Sequence, residues 1–253
     1  MKKAFAILEV LAQGGRPVSA PDLAAQLGMT RQTIHRLIHQ LEEMGMVRRD
    51  IERERFEIGP AFAELGLHAL STGHQSKLRR AVMEELVAKS GETCNLTVLD
   101  GHEIVYIDRV ECNWPLRRQI EIGGRMPAYC TAGGKLLLAL APAKTLDQYL
   151  STVTLKRLTP NTWTDPEAFR AHLETIRAQD YSINNQENLI GLLAVAVPVR
   201  DPSGRVLAAL ALHGPEARLR ESRAQALVPE IRKAAGAIGE LLVESTAPGL
   251  SGD

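Results

Sequence analysis

The chain has 253 residues, 45% of them apolar and 24% charged, with basic and acidic side chains in equal number. This is the composition of a soluble globular protein with enough apolar material for one large domain or two ordinary ones. Zero net charge excludes bulk electrostatic attraction as a basis for binding nucleic acid, and residues 1–60 carry only nine Lys/Arg against eight Asp/Glu. Any DNA contact must therefore rest on where individual side chains are placed. Cys94, Cys112 and Cys130 are odd in number and lie 18 residues apart without a CxxC. They suggest neither a metal site nor a disulfide framework and fit a reducing cytosol. No apolar run reaches the roughly 18 residues that a membrane span needs.

The opening MKKAFAILEVLAQGG superficially resembles a signal peptide, but Glu9, Gln13 and Arg16 interrupt its apolar part. It reads better as an amphipathic helix, with Ala4, Ile7, Leu8 and Leu11 on one face and Gly14-Gly15 as its stop. Ser19 can cap a second helix with Pro21 in its first turn, and Leu23, Ala24 and Leu27 face inward. Gly28-Met29 then makes a two-residue turn, where glycine can take the positive φ that a sharp helix-to-helix turn needs. Thr30 caps the third helix, whose Ile34, Leu37, Ile38 and Leu41 fall at helical spacing. Its opposite face carries Gln32, Arg36 and His39, flanked by Thr33 and His35. Such a face, polar near the helix start, suits a DNA major groove. An ordinary solvated surface helix would show a similar face.

The run MVRRDIERERFEIG reads as two short strands around a charged tip, a wing beside the third helix. It can bring Arg48, Arg49, Arg53 or Arg55 to the phosphate backbone or minor groove, or pair them with its own glutamates. The candidate DNA contacts are Ser19, Thr30, Arg31, Gln32, Thr33, His35, Arg36, Arg48 and Arg49. From Pro60 a further helix, apolar on more than one face, reads as a linker that ends near Gly73.

Residues 76–89 form another amphipathic helix. TCNLTVLDGHEIVYIDRV alternates around Asp100-Gly101, a hairpin signal. A loop begins at Trp114-Pro115, and IGGRMP introduces a glycine-rich turn. Thr131 can cap AGGKLLLALA, and helices recur at residues 143–150 and, behind Asp165, at 166–179. Residues 192–199 and 206–213 are apolar strands joined by DPSG, before a last helix from about 221 to 244. Strands and helices are mixed and the hairpins imply antiparallel pairing, so the second part is α+β.

Taken together, the winged N-terminal unit, FEIGP, GRMPAYCTAGGKLLLA and NNQENLIGLLAVAVPVRDPSGRVLAALALHGP resemble the IclR family of bacterial transcription regulators over nearly the whole chain. The resemblance implies a winged helix-turn-helix at residues 1–59, a linker helix at 60–73, and a GAF-like effector domain with a central antiparallel sheet at 74–253. It implies a homodimer, or a dimer of dimers, on partly palindromic double-stranded promoter DNA, where twofold symmetry relates two reading helices. No cofactor, metal or membrane is expected. Ala132 and Gly133 match a loop whose backbone N–H groups hold a ligand carboxylate in relatives, and a helix start favours an anion. Asn184 falls where some relatives carry an acid, Ala194 replaces a cysteine, Ala211 and His213 replace serines, and Tyr129 stands where many have histidine. The pocket formed with Met126, Thr131 and Leu193 is thus expected to be more apolar than in those relatives, with Leu136 and Leu192 as further wall candidates. Glu187 is expected to organise its loop. These features point to a cytoplasmic, ligand-responsive regulator of a catabolic operon that senses a small organic acid. The alternative is an enzyme acting on a small carboxylic acid and fused to a DNA-binding module, which nucleotide, nucleophile or metal motifs do not support.

Overall fold

A computed structural model of the chain describes residues 1–14, 17–50, 55–71, 74–114 and 120–244. Its internal contacts divide the chain into Met1–Leu70 and Ser71–Asp253. The expected hairpin tip with Arg53 and the Pro115 end of the expected loop lie outside the described residues.

In the first unit, α1 (Lys2–Gly14), α2 (Ala20–Leu27) and α3 (Arg31–Glu43) pack Ile7, Leu23, Ile34, Ile38 and Leu41 into one core. Each cap foreseen in the sequence forms: the Ser19 hydroxyl accepts from the Asp22 amide at 3.3 Å, and the Thr30 hydroxyl from that of Thr33 at 3.3 Å. Gly28 sits at φ 60°, ψ 32°, the left-handed conformation that ends α2 and lets the chain turn into α3. The wing strands are β2 (Val47–Arg49) and β3 (Arg55–Ile58). A further strand that the sequence reading missed, β1 (Val18–Ser19), adds to β3 and makes the sheet three-stranded, in the order β1-β3-β2. Two residues are too few to show alternation. The helix α4 (Pro60–Ser71) follows.

The second unit is built on a six-stranded antiparallel sheet in the order β6-β5-β4-β9-β8-β7. Its strands are β4 (Thr93–Asp100), β5 (Glu103–Val110), β6 (Arg125–Pro127), β7 (Ser182–Asn185), β8 (Leu192–Arg200) and β9 (Val206–Pro215). Of these, β6 and β7 were not foreseen: the three residues of β6 fall in the segment read as a glycine-rich turn, and SINN lacks the apolar alternation of a half-buried strand. The helices α5 (His74–Ser90) and α9 (Glu221–Glu244) pack together beside the sheet. A 3-10 turn at Ala128–Cys130 leads into α6 (Ala132–Leu140), which meets β4, β8, β9 and α8 (Pro166–Gln179). Between them runs α7 (Ala143–Thr152).

The second core contains a buried cation. Lys135 is 0% exposed, and its Nζ donates to the Ile183 carbonyl at 2.7 Å, to His172 Nε2 at 3.2 Å and to Glu187 Oε1. Three partners match the three protons of an ammonium group. Burial pulls the Lys135 pKa down and pushes that of Glu187 up, and each charge opposes the shift of the other. His172 must be unprotonated at Nε2 to accept this bond. Burial, then the Lys135 charge, lower its pKa from 6.5 to about 4, and its ring stacks on Trp163 at 4.5 Å.

Because the unfolded chain binds the His172 proton more readily, stability should fall as pH drops from about 6.5 to about 4. Denaturant titrations across that window should show His172→Gln losing less than wild type, by about 1–2 kcal/mol once partial exposure is allowed for. Lys135→Met, which strands Glu187, should cost about 3–5 kcal/mol, and adding Glu187→Leu should restore much of it. Equal stability of the single and double variants would refute the pairing.

Candidate functional site

The exposed face of α3 follows from the burial of its other side. With Ile34, Leu37, Ile38 and Leu41 turned into the core, Arg31, Gln32, His35 and Arg36 are exposed, and Thr33 is half-buried. Among the described residues, neither Arg31 nor Arg36 has a hydrogen-bond or ion-pair partner. The hydroxyls of Thr30 and Thr33 bond each other at 2.9 Å, and that of Ser19 donates to Asp22 at 2.7 Å. These three side chains are thus occupied in holding the helix starts. In the wing, Arg48 pairs with Glu57 at 2.8 Å. Arg49 makes a two-pronged contact with Glu42, at 2.7 and 3.1 Å, and lies over the Phe56 ring at 4.9 Å. Both arginines sit where the sequence places them, at the wing, but with carboxylates already in hand.

In the second unit, a cavity of about 40 Å³ lies between the start of α6 and one face of the sheet. The sheet contributes Asn95 and Thr97 from β4, Ile104 and Tyr106 from β5, Leu192 and Ala194 from β8, Ala211 and His213 from β9, and Asn184 from β7. Thr131, Ala132 and Gly133 form the opposite wall, and Ile120 and Asn188 complete the lining. A larger chamber of about 320 Å³, with Leu189, Ile190, Pro215 and Arg218 in its wall, shares Leu192 and His213 with the cavity.

The two glycines of AGGK permit this closeness. A Cβ on Gly133 would come within 2.6 Å of Thr97 Oγ1, and one on Gly134 within 2.3 Å of the Ala128 carbonyl oxygen. The Thr131 hydroxyl accepts from the Gly134 amide at 3.1 Å, and the Thr131 carbonyl from that of Lys135 at 3.0 Å. This leaves the N–H groups of Ala132 and Gly133 without a partner among the described residues, at the positive end of the helix.

Several lining side chains have little polar capacity left. Asn184 donates to the Cys130 carbonyl at 2.5 Å and accepts from the Glu187 amide at 2.9 Å, so it braces the loop after β7. Ala194 and Ala211 offer only methyl groups. Asn188 Oδ1 is buried with no partner among the described residues. The structure thus brings Thr131, Ala132, Gly133, Asn184, Ala194, Ala211 and His213 to one cavity.

It places the other three sequence candidates elsewhere. Leu193 is buried and, by strand alternation, on the other face of β8 from Ala194. Tyr129 is buried, its hydroxyl donating to the Lys156 carbonyl at 2.9 Å. Met126 pairs with Ile104 across β5 and β6 and packs on the core. Leu136 is core, and of the two leucines Leu192 is the one that lines the cavity. Glu187 lies behind the lining, on Lys135. Asn95, Thr97, Ile104, Tyr106, Ile120 and Asn188 were missed. A readable signal existed for two of them: Thr93, Asn95 and Thr97 put a polar stripe on one face of a buried strand.

Residues 67–240 match the family model for the bacterial transcriptional regulator IclR C-terminal domain, and residues 1–50 match that for the IclR helix-turn-helix domain. The chain is 39% identical to the probable transcriptional regulator SauR of Cupriavidus necator, over 92% of each chain. It resembles the crystal structure of the Thermotoga maritima IclR with a TM-score of 0.63 and 32% identity, over 94% of this chain and 96% of that one. An IclR homologue from Microbacterium hydrocarbonoxydans, complexed with 4-hydroxybenzoate, matches with a TM-score of 0.60 and 25% identity over 96% of this chain and 98% of that one. The chain belongs to the IclR family and is a transcriptional regulator of IclR type, with a helix-turn-helix domain ahead of a ligand-binding C-terminal domain.

Proposed function

We propose that this regulator controls a catabolic operon in the cytoplasm and senses a small organic acid in the cavity between α6 and the sheet. The observation that carries this reading is the pair of N–H groups on Ala132 and Gly133, unpartnered at a helix start that faces largely apolar walls. A carboxylate answers both the hydrogen-bond deficit and the helix dipole. The match to a homologue complexed with 4-hydroxybenzoate supports an acid as the ligand class. At about 40 Å³ the inner cavity has room for a few water-sized groups, so an acid carrying a ring would extend past Leu192 into the larger chamber.

On the DNA side, residues 1–59 serve as the winged reader, 60–73 as linker and 74–253 as effector and oligomerisation domain. The protein acts as a homodimer or a dimer of dimers. Arg31, Gln32, His35 and Arg36 reach base edges, with Thr33 beside them, while Ser19 and Thr30 hold the helix starts against the phosphates. Arg48 and Arg49 serve the backbone by sharing their charge between phosphate and the glutamates they already hold. Effector binding shifts the equilibrium between two dispositions of the reading heads, a coupling of about 1–3 kcal/mol.

Two outcomes are expected. Fluorescence anisotropy at fixed salt should show Arg36→Ala weakening operator binding by about 1–3 kcal/mol while hardly changing affinity for scrambled DNA. Equal losses on both would assign Arg36 to phosphate alone. Gly133→Ala forces the start of α6 off Thr97, so it should abolish the acid response in a reporter assay and leave operator binding intact. A retained response would move the effector site elsewhere.

A further inference from the structure

One wall of the cavity is backed by a chain of hydrogen-bonded polar side chains. Asn95 lies directly across the sheet from Arg109 on one side and from Ala211 on the other, and the neighbouring pair is Thr93 with His213. Arg109 Nη1 is 2.8 Å from Asn95 Oδ1, and Asn95 Nδ2 is 2.8 Å from His213 Nδ1. Arg109 is held in turn by Glu111, 3.4 Å from its Nε. Asn95, Arg109 and His213 are all buried.

A guanidinium group has five donors and no acceptor. The amide atom facing Arg109 must therefore be the oxygen, which turns the NH₂ of Asn95 toward His213. Nδ1 of that ring must accept, and the proton of a neutral imidazole then lies on Nε2. The reverse tautomer would set a ring N–H against the amide NH₂. Flipping the amide to relieve that clash would set its NH₂ against the guanidinium. Away from water, neither arrangement has solvent to absorb the lost bond.

We infer that Arg109 and Asn95 are positioning residues that make His213 a hydrogen-bond donor to the effector, which presents an acceptor oxygen to it. This rests on the reading of the cavity as the acid site and adds a second requirement to it. The acid holds its carboxylate on Ala132 and Gly133 and carries a carbonyl, ether or other acceptor oxygen beyond the carboxylate. His213 stands in the wall shared by the cavity and the larger chamber, with its Nε2 buried.

Solid-state ¹⁵N spectra of the full chain labelled at histidine, with His213→Gln used to assign the signal, test the orientation without any effector. The wild type should show a bare Nδ1 and a protonated Nε2. In Asn95→Asp the new carboxylate accepts from both neighbours and should move a proton onto Nδ1, while Arg109→Met should give mixed tautomers. A protonated Nδ1 on His213 in the wild type would overturn the inference. Thermal shifts of the full chain with paired probes test the consequence: pyruvate against methacrylate, and 4-methoxybenzoate against 4-ethylbenzoate. The oxygen-bearing member of at least one pair should bind about tenfold more tightly, and the advantage should vanish in His213→Phe. Equal or tighter binding of the hydrocarbon members would refute the donor role. Failure of all four acids to bind would count against the acid site itself, and the nitrogen spectra would still decide the state of His213.

Discussion

An ammonium group can be buried only if each of its protons finds an acceptor, and the second unit is arranged around meeting that condition at Lys135. The three acceptors come from three places: His172 on α8, the Ile183 carbonyl on β7, and Glu187 on the loop beyond it. A single side chain near the start of α6 thereby ties helix, sheet edge and loop together. Asn184, two residues before Gln186, closes the same assembly by bonding the Cys130 carbonyl and the Glu187 amide. The cavity owes its shape to this arrangement, because Asn184, Asn188 and the first turn of α6 all line it. Polar groups spent on architecture are not available to a ligand, and Asn184 is one of these.

Much of the molecule was readable because local signals and packing agree. The caps at Ser19, Thr30, Thr131 and Asp165 all form, each ahead of the helix expected of it. Apolar spacing on α3 decides which of its faces is buried and which is exposed. Failures came where an element is short or polar. β1 has two residues, and β7 is a strand through its pairing with β8 and not through its own composition. The cavity lining was partly readable for a related reason. Residues at the start of α6 carry a local signature, whereas Asn95 and Thr97 matter only because β4 is central in the sheet and faces α6. The choice between Leu192 and Leu193 turns on a register of one residue, which an apolar run does not encode.

The wing illustrates the difference between placing a charge and making it available. Sequence position puts Arg48 and Arg49 on the wing, yet the alternating Arg and Glu of that segment also provide intramolecular partners. Glu57 and Glu42 hold them within hydrogen-bond distance. The exposed α3 arginines lack such partners among the described residues. Residues 1–60 as a whole have nearly balanced charge, nine Lys/Arg against eight Asp/Glu.

The stacking of Trp163 on His172 has a practical side. The chain has two tryptophans, Trp163 and Trp114, and both fall in the second unit. Trp163 lies one residue away from the Lys135 cluster, and Trp114 lies under the Arg218 guanidinium, which lines the larger chamber. Intrinsic tryptophan emission thus arises wholly from residues of the second unit. An unlabelled chain therefore carries its own optical probe of that unit, with one emitter beside the Lys135 cluster and one beside the larger chamber.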